Sequence, residues 1–131
     1  MTPESQIELT RRAIDAFNDK NADAMIELGV LAFDWSGSIG PYLGVYEGEE
    51  GIREFIDDQW SAFEELRVEP EEFLTQGRHV IVPITVRGRA RDGLPVSATA
   101  AQLYTFEDGR PVRIKLFQNR REALEAAVFE E

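Results

Sequence analysis

Few residues of this chain have the type and spacing that chemistry requires. The single histidine, His79, could exchange protons near neutral pH, but it follows a predicted turn, where we expect it to be exposed. Residues 36–40 hold two serines among glycines, without the spacing of a nucleophile elbow. Glu54, Asp57 and Asp58 could bind a divalent cation loosely, yet they fall on the outward face of a predicted helix. We therefore predict neither a metal site nor a cofactor.

Basic side chains recur at every second position in two segments. Arg87, Arg89 and Arg91 share one face of a predicted strand, and Arg113 and Lys115 share a face of another. Such a face could hold a carboxylate or an enolate through charge-assisted hydrogen bonds. The alternative is that these side chains form cross-strand ion pairs, or mark a solvated or dimer-facing surface of the sheet.

Composition excludes several classes of function. The 131 residues contain no cysteine, which excludes disulfides, thiol nucleophiles and cysteine-based zinc sites. The net charge of −11 argues against nucleic acid and anionic membranes as partners. That charge is uneven, because residues 1–76 carry 5 basic and 18 acidic side chains, whereas residues 77–131 carry 9 and 7. We find no apolar run that could span a bilayer and no signal-peptide pattern, so we expect a cytoplasmic protein.

Helical periodicity dominates the first half of the chain. Thr2 and the following proline predict the start of a helix that continues to about residue 18. A shorter helix is predicted from Asn21 or Asp23 to about Gly29. The clearest helical face of the chain belongs to a third helix, and it comprises Ile52, Phe55, Ile56, Trp60 and Phe63.

The second half has the period of strands. Strands are predicted over residues 31–38, 66–76, 79–91, 95–107 and 111–118, followed by a helix over residues 120–128. Two of the connecting turns contain Asp-Gly, which is a strong hairpin signal. Three helices followed by an antiparallel meander predict an α+β architecture in which a curved sheet wraps around the helices.

Three segments carry a specific resemblance to a known family. They read RRAIDAFNDKNADAMIEL, YEGEEGIREFIDDQWSAFEELRVEPEEF and LYTFEDGRPVRIKLFQNRREALEAA. With this order of elements, the chain resembles the SnoaL-like group of the nuclear transport factor 2-like superfamily. The resemblance covers nearly the whole chain. It implies a single domain over residues 1–131 and a cone-shaped α+β fold, in which a curved, mostly antiparallel sheet surrounds three helices and a C-terminal helix follows.

The same resemblance implies a pocket at the wide end of the cone and, frequently, a homodimer through the outer face of the sheet. Members include polyketide cyclases, ketosteroid isomerases, dehydratases, epoxide hydrolases and proteins with no demonstrated reaction. Because a fold does not fix chemistry, the residues in the pocket must decide the function.

The family's acid/base positions do not hold titratable groups here. In polyketide cyclases the pair is a histidine on the penultimate strand and an aspartate that ends the last strand. Matching these positions gives Gln102 and Asn119, and neither amide titrates near neutral pH. Both could orient a carbonyl or a hydroxyl. Asn119 also precedes Glu122 by three residues, the spacing of a helix cap, and Gln102 could equally be a buried hydrogen-bonding residue.

The ketosteroid isomerase pattern transfers no better. Its hydroxyl donor matches Ala13, and its carboxylate falls near Ser36. Asp34 would share a face with Ser36 in a regular strand, so it is the remaining candidate for a catalytic carboxylate, the alternative being an ordinary surface or turn aspartate. Tyr46 and Tyr42, on a predicted glycine-rich loop, could close over a ligand and donate hydrogen bonds to it, or could simply pack on the surface.

Aromatic side chains supply most of the predicted pocket. Each ring taken alone is more often a core residue, but together they suit a flat or apolar ligand. The predicted pocket comprises Phe17, Trp35, Tyr46, Trp60, Phe63, Arg87, Gln102, Tyr104, Lys115, Phe117 and Asn119.

Two classes of function follow from this reading. The first is a protein that binds an apolar or aromatic small molecule, with catalysis left open. Its catalytic form is an isomerase, cyclase or lyase that acts on a small carbonyl compound through Asp34, and a cavity without carboxylates would argue against it. The second is a non-catalytic, dimeric accessory protein. In either case we expect a homodimer through the outer face of the sheet, and neither nucleic acid nor membrane as a partner.

Overall fold

Four helices form in the described part of the chain. The computed structural model describes residues 1–36 and 44–129. The helices span Pro3–Asn18 (α1), Ala22–Leu28 (α2), Gly48–Ala62 (α3) and Arg120–Phe129 (α4). Thr2 caps α1 by accepting a hydrogen bond from the amide of Ser5, and Asn21 caps α2 by accepting one from the amide of Ala24. Both predicted helix starts are confirmed. No helix within the described ranges is both long and apolar enough to cross a membrane.

Seven strands form one mostly antiparallel sheet across the described residues. They span Ala32–Asp34 (β1), Val45–Glu47 (β2), Phe63–Pro70 (β3), Leu74–Gln76 (β4), His79–Ala90 (β5), Pro95–Glu107 (β6) and Arg110–Phe117 (β7). Their order is β2-β1-β7-β6-β5-β3, and β4 also pairs with β5. The pairing of β1 with β7 is parallel, and the other pairs are antiparallel. The α+β architecture is therefore confirmed.

Several predicted strands have different bounds in the structure. The strand predicted over residues 66–76 is divided into β3 and β4, and β3 ends at Pro70, which has no amide hydrogen with which to continue a ladder. The strand predicted over residues 31–38 ends at Asp34. The sequence reading missed β2 altogether. Residues 37–43, which include Tyr42, lie outside the described residues.

The Asp-Gly hairpin signals are confirmed. Asp108 and Gly109 join β6 to β7 with φ values of +50° and +77°. Positive φ at both central residues is the requirement of the tight turns whose twist matches that of the flanking strands. The register of the pair shifts between Thr105 and Phe106, and beyond that shift Leu116 of β7 lies opposite Gln102.

Different helices pack on the two faces of the sheet. Alternate residues of β5, among them Val80, Val82 and Ile84, belong to the core formed with α1, α2 and α3. The residue between the first two, Ile81, belongs to a smaller core that contains Ala123 and Ala127 of α4. The inner face therefore contacts the three N-terminal helices, and α4 covers part of the outer face.

Specific contacts fix the helices against the inner face. The side-chain amide of Asn18, at the end of α1, donates to the carbonyl of Val68 and accepts from its amide, both at 2.9 Å. On α3, the ring of Phe55 stacks on Phe33 with a centroid distance of 4.0 Å, and its centroid lies 4.8 Å from that of Trp35. These contacts hold α1, α3, β1 and β3 around one interior space.

The prediction that His79 is exposed is wrong. The residue is fully buried in the structure. It begins β5 and pairs with Gln76 of β4 on one side and with Thr105 of β6 on the other. Its Nδ1 lies 3.1 Å from the hydroxyl of Thr105. The turn occupies only the two residues between β4 and β5, so the histidine lies inside the sheet rather than in the turn.

Candidate functional site

A cavity of about 350 Å³ lies between the inner face of the sheet and the helices. This volume is within the range of small-molecule sites in proteins. The residues that line it are Ile14, Phe17, Met25, Phe33, Trp35, Gln59, Phe63, Leu66, Val68, Ile84, Val86, Val96, Ala98, Thr99, Ala100, Gln102, Tyr104, Leu116, Phe117 and Gln118. Most of these side chains are aliphatic or aromatic, so the cavity offers mainly apolar contacts.

No charged side chain lines this cavity among the residues that the structure describes. Its polar side chains are amides and hydroxyls, with one indole, Trp35. Residues 37–43, outside the described ranges, read GSIGPYL and contain no carboxylate, imidazole or basic side chain. An ionised ligand group placed among the described lining would lose its hydration without gaining an ion-pair partner, which is costly.

The best-buried polar pair of the lining is Gln102 and Tyr104. Both lie on the inner face of β6, with exposures of 5% and 1%. The hydroxyl of Tyr104 donates to the Oε1 of Gln102 at 2.7 Å. Burial raises the pKa of Tyr104 far above its usual value, so this hydroxyl stays protonated and can only donate or accept hydrogen bonds.

Six of the predicted pocket residues line the cavity. They are Phe17, Trp35, Phe63, Gln102, Tyr104 and Phe117. They come from α1, from the residue that follows β1, from the start of β3, and from strands β6 and β7, so the fold brings together residues that are distant in sequence. Their contact with a ligand remains a prediction.

Two predicted aromatic residues lie behind the lining instead of in it. Tyr46 donates its hydroxyl to a carboxylate oxygen of Asp58 at 3.2 Å, and its ring centroid is 5.3 Å from that of Phe55. Trp60 lies 6.0 Å from Phe17 between centroids, and the ammonium of Lys20 lies 4.5 Å from the centre of its ring. Both rings therefore support side chains that face the cavity or the core.

The structure places Asn119 and Arg87 outside the cavity lining. Asn119 accepts a hydrogen bond from the amide of Glu122 at 2.9 Å, which caps α4 and matches the capping interpretation. Arg87 is 64% exposed and lies 2.8 Å from a carboxylate oxygen of Glu69, across the pair β3–β5. Arg87 therefore forms a cross-strand ion pair, the alternative prediction for these basic side chains.

Asp34 lies outside the lining in a network of its own. The hydroxyl and the amide of Ser36 donate to Oδ1 at 2.6 and 3.1 Å. Arg113 donates to Oδ2 at 3.1 Å, and the ammonium of Lys115 is 3.8 Å from the same oxygen. Burial by itself would raise the pKa of Asp34, but the two Ser36 hydrogen bonds, the one from Arg113 and the charge of Lys115 together hold that pKa below its usual value.

This network stabilises the ionised form of Asp34, whose carboxylate oxygens contact Ser36, Arg113 and Lys115. The strand ends at Asp34, so its contact with Ser36 is that of a turn rather than of a shared strand face. Lys115, a second predicted pocket residue, also lies in this network, and its ammonium is 5.2 Å from the ring of Phe117.

Sequence reasoning missed two amides of the lining, Gln59 and Gln118. A signal existed for each of them. Gln59 follows Phe55 by four residues, which places both on one helical face. Gln118 follows Leu116 by two residues, which places both on one face of an extended segment.

Comparison with protein families gives one match that covers most of the chain. Residues 10–114 match the SnoaL-like domain family. No curated protein matches the sequence.

Comparison with solved structures gives close matches of fold at low identity. TerC, co-crystallised with polyporic acid, has a TM-score of 0.77 and 22% identity, over 95% of this chain and 98% of that one. A nuclear transport factor 2-like protein of unknown function from Burkholderia pseudomallei has a TM-score of 0.78 and 21% identity, over 95% and 97%. A putative SnoaL-like polyketide cyclase from Jannaschia sp. has a TM-score of 0.74 and 19% identity, over 95% and 92%. At these identities the likeness extends to the fold alone.

Proposed function

The chain belongs to the SnoaL-like domain family, and on that premise we propose that its inner cavity binds a neutral, apolar or aromatic small molecule. The observation that carries this proposal is the lining, which is mainly apolar and contains no ionised side chain among the described residues. The described polar side chains that remain are amides, hydroxyls and an indole, which can orient a ligand without neutralising a charge.

Aromatic rings in the lining support a flat ligand in particular. Phe17, Phe63 and Phe117 belong to the lining together with the indole of Trp35. Aromatic faces and edges bind another ring through offset or edge-to-face contacts, in addition to the burial of apolar area. The relative TerC was co-crystallised with polyporic acid, which supports a small organic molecule as the kind of ligand.

Binding without acid/base catalysis is the form of the function that we favour. A general acid or base must lie within hydrogen-bond reach of the ligand. The described lining contains no carboxylate, imidazole or ammonium, and the buried phenol of Tyr104 stays protonated. The candidate carboxylate of Asp34 is held by Ser36, Arg113 and Lys115.

A charge series tests the proposal directly. Three probes share a naphthalene ring: neutral 2-isopropenylnaphthalene, anionic 2-naphthoate and cationic 2-naphthylmethylammonium. Titration calorimetry reports binding of each probe. We expect the neutral probe to bind at least about tenfold more tightly than either ion, because neither ion would find an oppositely charged side chain in the described lining.

A cavity-filling variant locates that binding. Ala100→Phe adds a ring inside the lining, whereas the control Thr75→Phe adds the same ring at an exposed position of β4. We expect Ala100→Phe to abolish binding of the neutral probe and Thr75→Phe to leave it unchanged. Equal affinity for the neutral and charged probes, or full binding by Ala100→Phe, would contradict the proposal.

A homodimer through the outer face of the sheet is our proposal for assembly. That face carries both signs of charge, since Arg67 lies opposite Arg87 and the neighbouring pair joins Glu69 to Thr85. A surface of mixed sign can complement itself around a twofold axis. Light scattering at micromolar concentration should give about twice the mass of 14.8 kDa, and a monomeric mass would exclude the dimer.

A further inference from the structure

The amide of Gln102 has one hydrogen-bonding group engaged and one available. Its oxygen accepts from the hydroxyl of Tyr104 at 2.7 Å. Its nitrogen has no hydrogen-bond partner among the described residues, although the residue is only 5% exposed and lines the cavity. The nitrogen is not among the described side-chain atoms that are both fully buried and unpaired, so it keeps accessible surface that an acceptor in the cavity can reach.

Tyr104 decides which end of the amide faces it. The phenolic hydrogen needs an acceptor in the buried interior, and the oxygen of Gln102 is the acceptor found for it among the described residues. If the amide were turned over, its nitrogen would face the hydroxyl and the phenolic hydrogen would lose that acceptor. The hydrogen-bond network therefore keeps the amide oxygen toward Tyr104 and the nitrogen away from it.

The neighbouring strands offer the nitrogen nothing to bind. Gln102 lies between Val82 of β5 and Leu116 of β7 on the inner face of the sheet. Both side chains are hydrocarbons and cannot accept a hydrogen bond. An acceptor for the amide nitrogen would therefore enter through the cavity.

We propose that Gln102 is a specificity-determining residue whose Nε2 donates a hydrogen bond to a carbonyl oxygen of the ligand, and that Tyr104 is the positioning residue that orients this amide. The inference rests on the proposed function, and it narrows the ligand to an apolar or aromatic carbonyl compound. A carboxylate would bring a charge that the described lining does not neutralise. A carbonyl oxygen needs only the donor that Nε2 supplies, whereas a hydroxyl would also need an acceptor for its own hydrogen.

An isosteric pair of probes tests the donor. 2-Acetylnaphthalene and 2-isopropenylnaphthalene differ only in the replacement of a carbonyl oxygen by a methylene group. Titration calorimetry with the wild-type protein should give an affinity about five- to tenfold higher for the ketone, the size expected for one net hydrogen bond. In NMR spectra, the side-chain amide signals of Gln102, identified by their loss in Gln102→Met, should shift with the ketone and not with the alkene.

Variants of Gln102 and Tyr104 separate a role in ligand recognition from a role in folding. Gln102→Met keeps the length of the side chain and removes the donor, so the preference for the ketone should fall to within about twofold while the alkene binds as before. Tyr104→Phe leaves the amide free to turn, and should reduce the preference only in part. If Gln102→Met fails to fold because the phenol of Tyr104 loses its acceptor, the double variant Gln102→Met/Tyr104→Phe removes both polar groups together. Gln76→Met, which replaces an amide of β4 outside the lining, is the matched control and should keep the preference.

The outcomes distinguish this inference from the proposed function. Equal affinity of the wild-type protein for the two probes would overturn the role of Gln102 while leaving an apolar ligand in place. A ketone preference that survives in the double variant would also overturn it. If neither probe binds, the proposed function fails, and the inference that rests on it fails as well.

Discussion

Two buried polar side chains of this protein, Asp34 and Gln102, differ in how completely the chain satisfies them. Asp34 receives hydrogen bonds from the hydroxyl and the amide of Ser36 and from Arg113, and Lys115 lies within ion-pair distance. Gln102 lines the cavity and receives one hydrogen bond, from Tyr104, while its nitrogen has no partner among the described residues. Their exposures are nearly the same, 6% and 5%, so burial alone does not separate them.

The difference indicates which group serves structure and which is open to a ligand. A carboxylate surrounded by donors is stabilised as an anion and has no free lone pair directed at a cavity. An amide with an unused donor keeps a recognition group available at a small cost to the folded protein. Asp34, the candidate for a catalytic carboxylate, is therefore the better candidate for a structural role, and the amide of Gln102 is the better candidate for a functional one.

Replacing Asp34 should have the largest effect on stability. Asp34→Ala removes the acceptor for three hydrogen bonds and leaves Arg113 without its carboxylate, which we expect to lower the free energy of unfolding by about 2–3 kcal/mol in urea denaturation. Affinity for the neutral naphthalene probe should stay within about twofold, provided that it is measured where the variant is folded. A loss of binding without a loss of stability would place Asp34 in the site after all.

Asp34 should make the stability of the protein depend on pH, whereas the amide of Gln102 does not titrate. The pKa of Asp34 is lowered in the folded protein, so near its usual value of about 3.9 the folded state binds fewer protons than the unfolded state. Its contribution to stability is therefore complete above about pH 5 and is lost as the pH falls through 3.9 toward the lowered pKa.

Denaturation of the wild-type protein and of Asp34→Asn from pH 7 to pH 3 measures this contribution. The difference in unfolding free energy between the two proteins should shrink over the lower part of that range. Binding of the neutral probe should not change between pH 6 and pH 8, because no described lining group titrates there. A binding transition within that interval would reveal a titrating group in the site.

A double-mutant cycle on Gln102 and Tyr104 should give a smaller energy. Because each single variant leaves the other buried polar group without its partner, we expect Tyr104→Phe and Gln102→Met together to cost less than the sum of their separate effects, with a coupling of about 1 kcal/mol. Urea denaturation of the four proteins provides the value. Strict additivity would show that the hydrogen bond does not orient the amide.

The exposed ion pair of Arg87 and Glu69 should have the smallest effect. Both side chains are substantially exposed, and such pairs contribute little to stability. Arg87→Ala should lower the unfolding free energy by less than about 0.5 kcal/mol and should leave ketone binding unchanged. A change in ketone affinity would show that the Arg87–Glu69 ion pair is energetically coupled to the cavity.

Local signals explain why much of the fold was predictable. Thr2 and Asn21 cap helices where their side-chain oxygens reach free amides, and Asp108-Gly109 adopts the positive φ values that a tight hairpin needs. These interactions involve residues within a few positions of each other, so they can be read from the order of residues. The three-residue strand β2 had no such signal, because it depends on pairing with β1.

The candidate site was only partly predictable for a related reason. Alternation along a strand shows which residues share a face, and it grouped Gln102 and Tyr104 correctly. It cannot show what covers that face. Lys115 and Arg87 were therefore assigned to a pocket, although they lie on the face opposite to it.

The sequence by itself determined the family, the order of most elements and the absence of a titratable group at the two family positions held by Gln102 and Asn119. These depend on residue identity and on short-range spacing. Only the tertiary structure decided that Asp34 is held in an ion network, that His79 is buried, and that Gln102 lines a cavity with its oxygen engaged by Tyr104. The physical reason is that hydrogen-bond partners and burial come from strands and helices far apart in the chain, which pattern along the sequence does not specify.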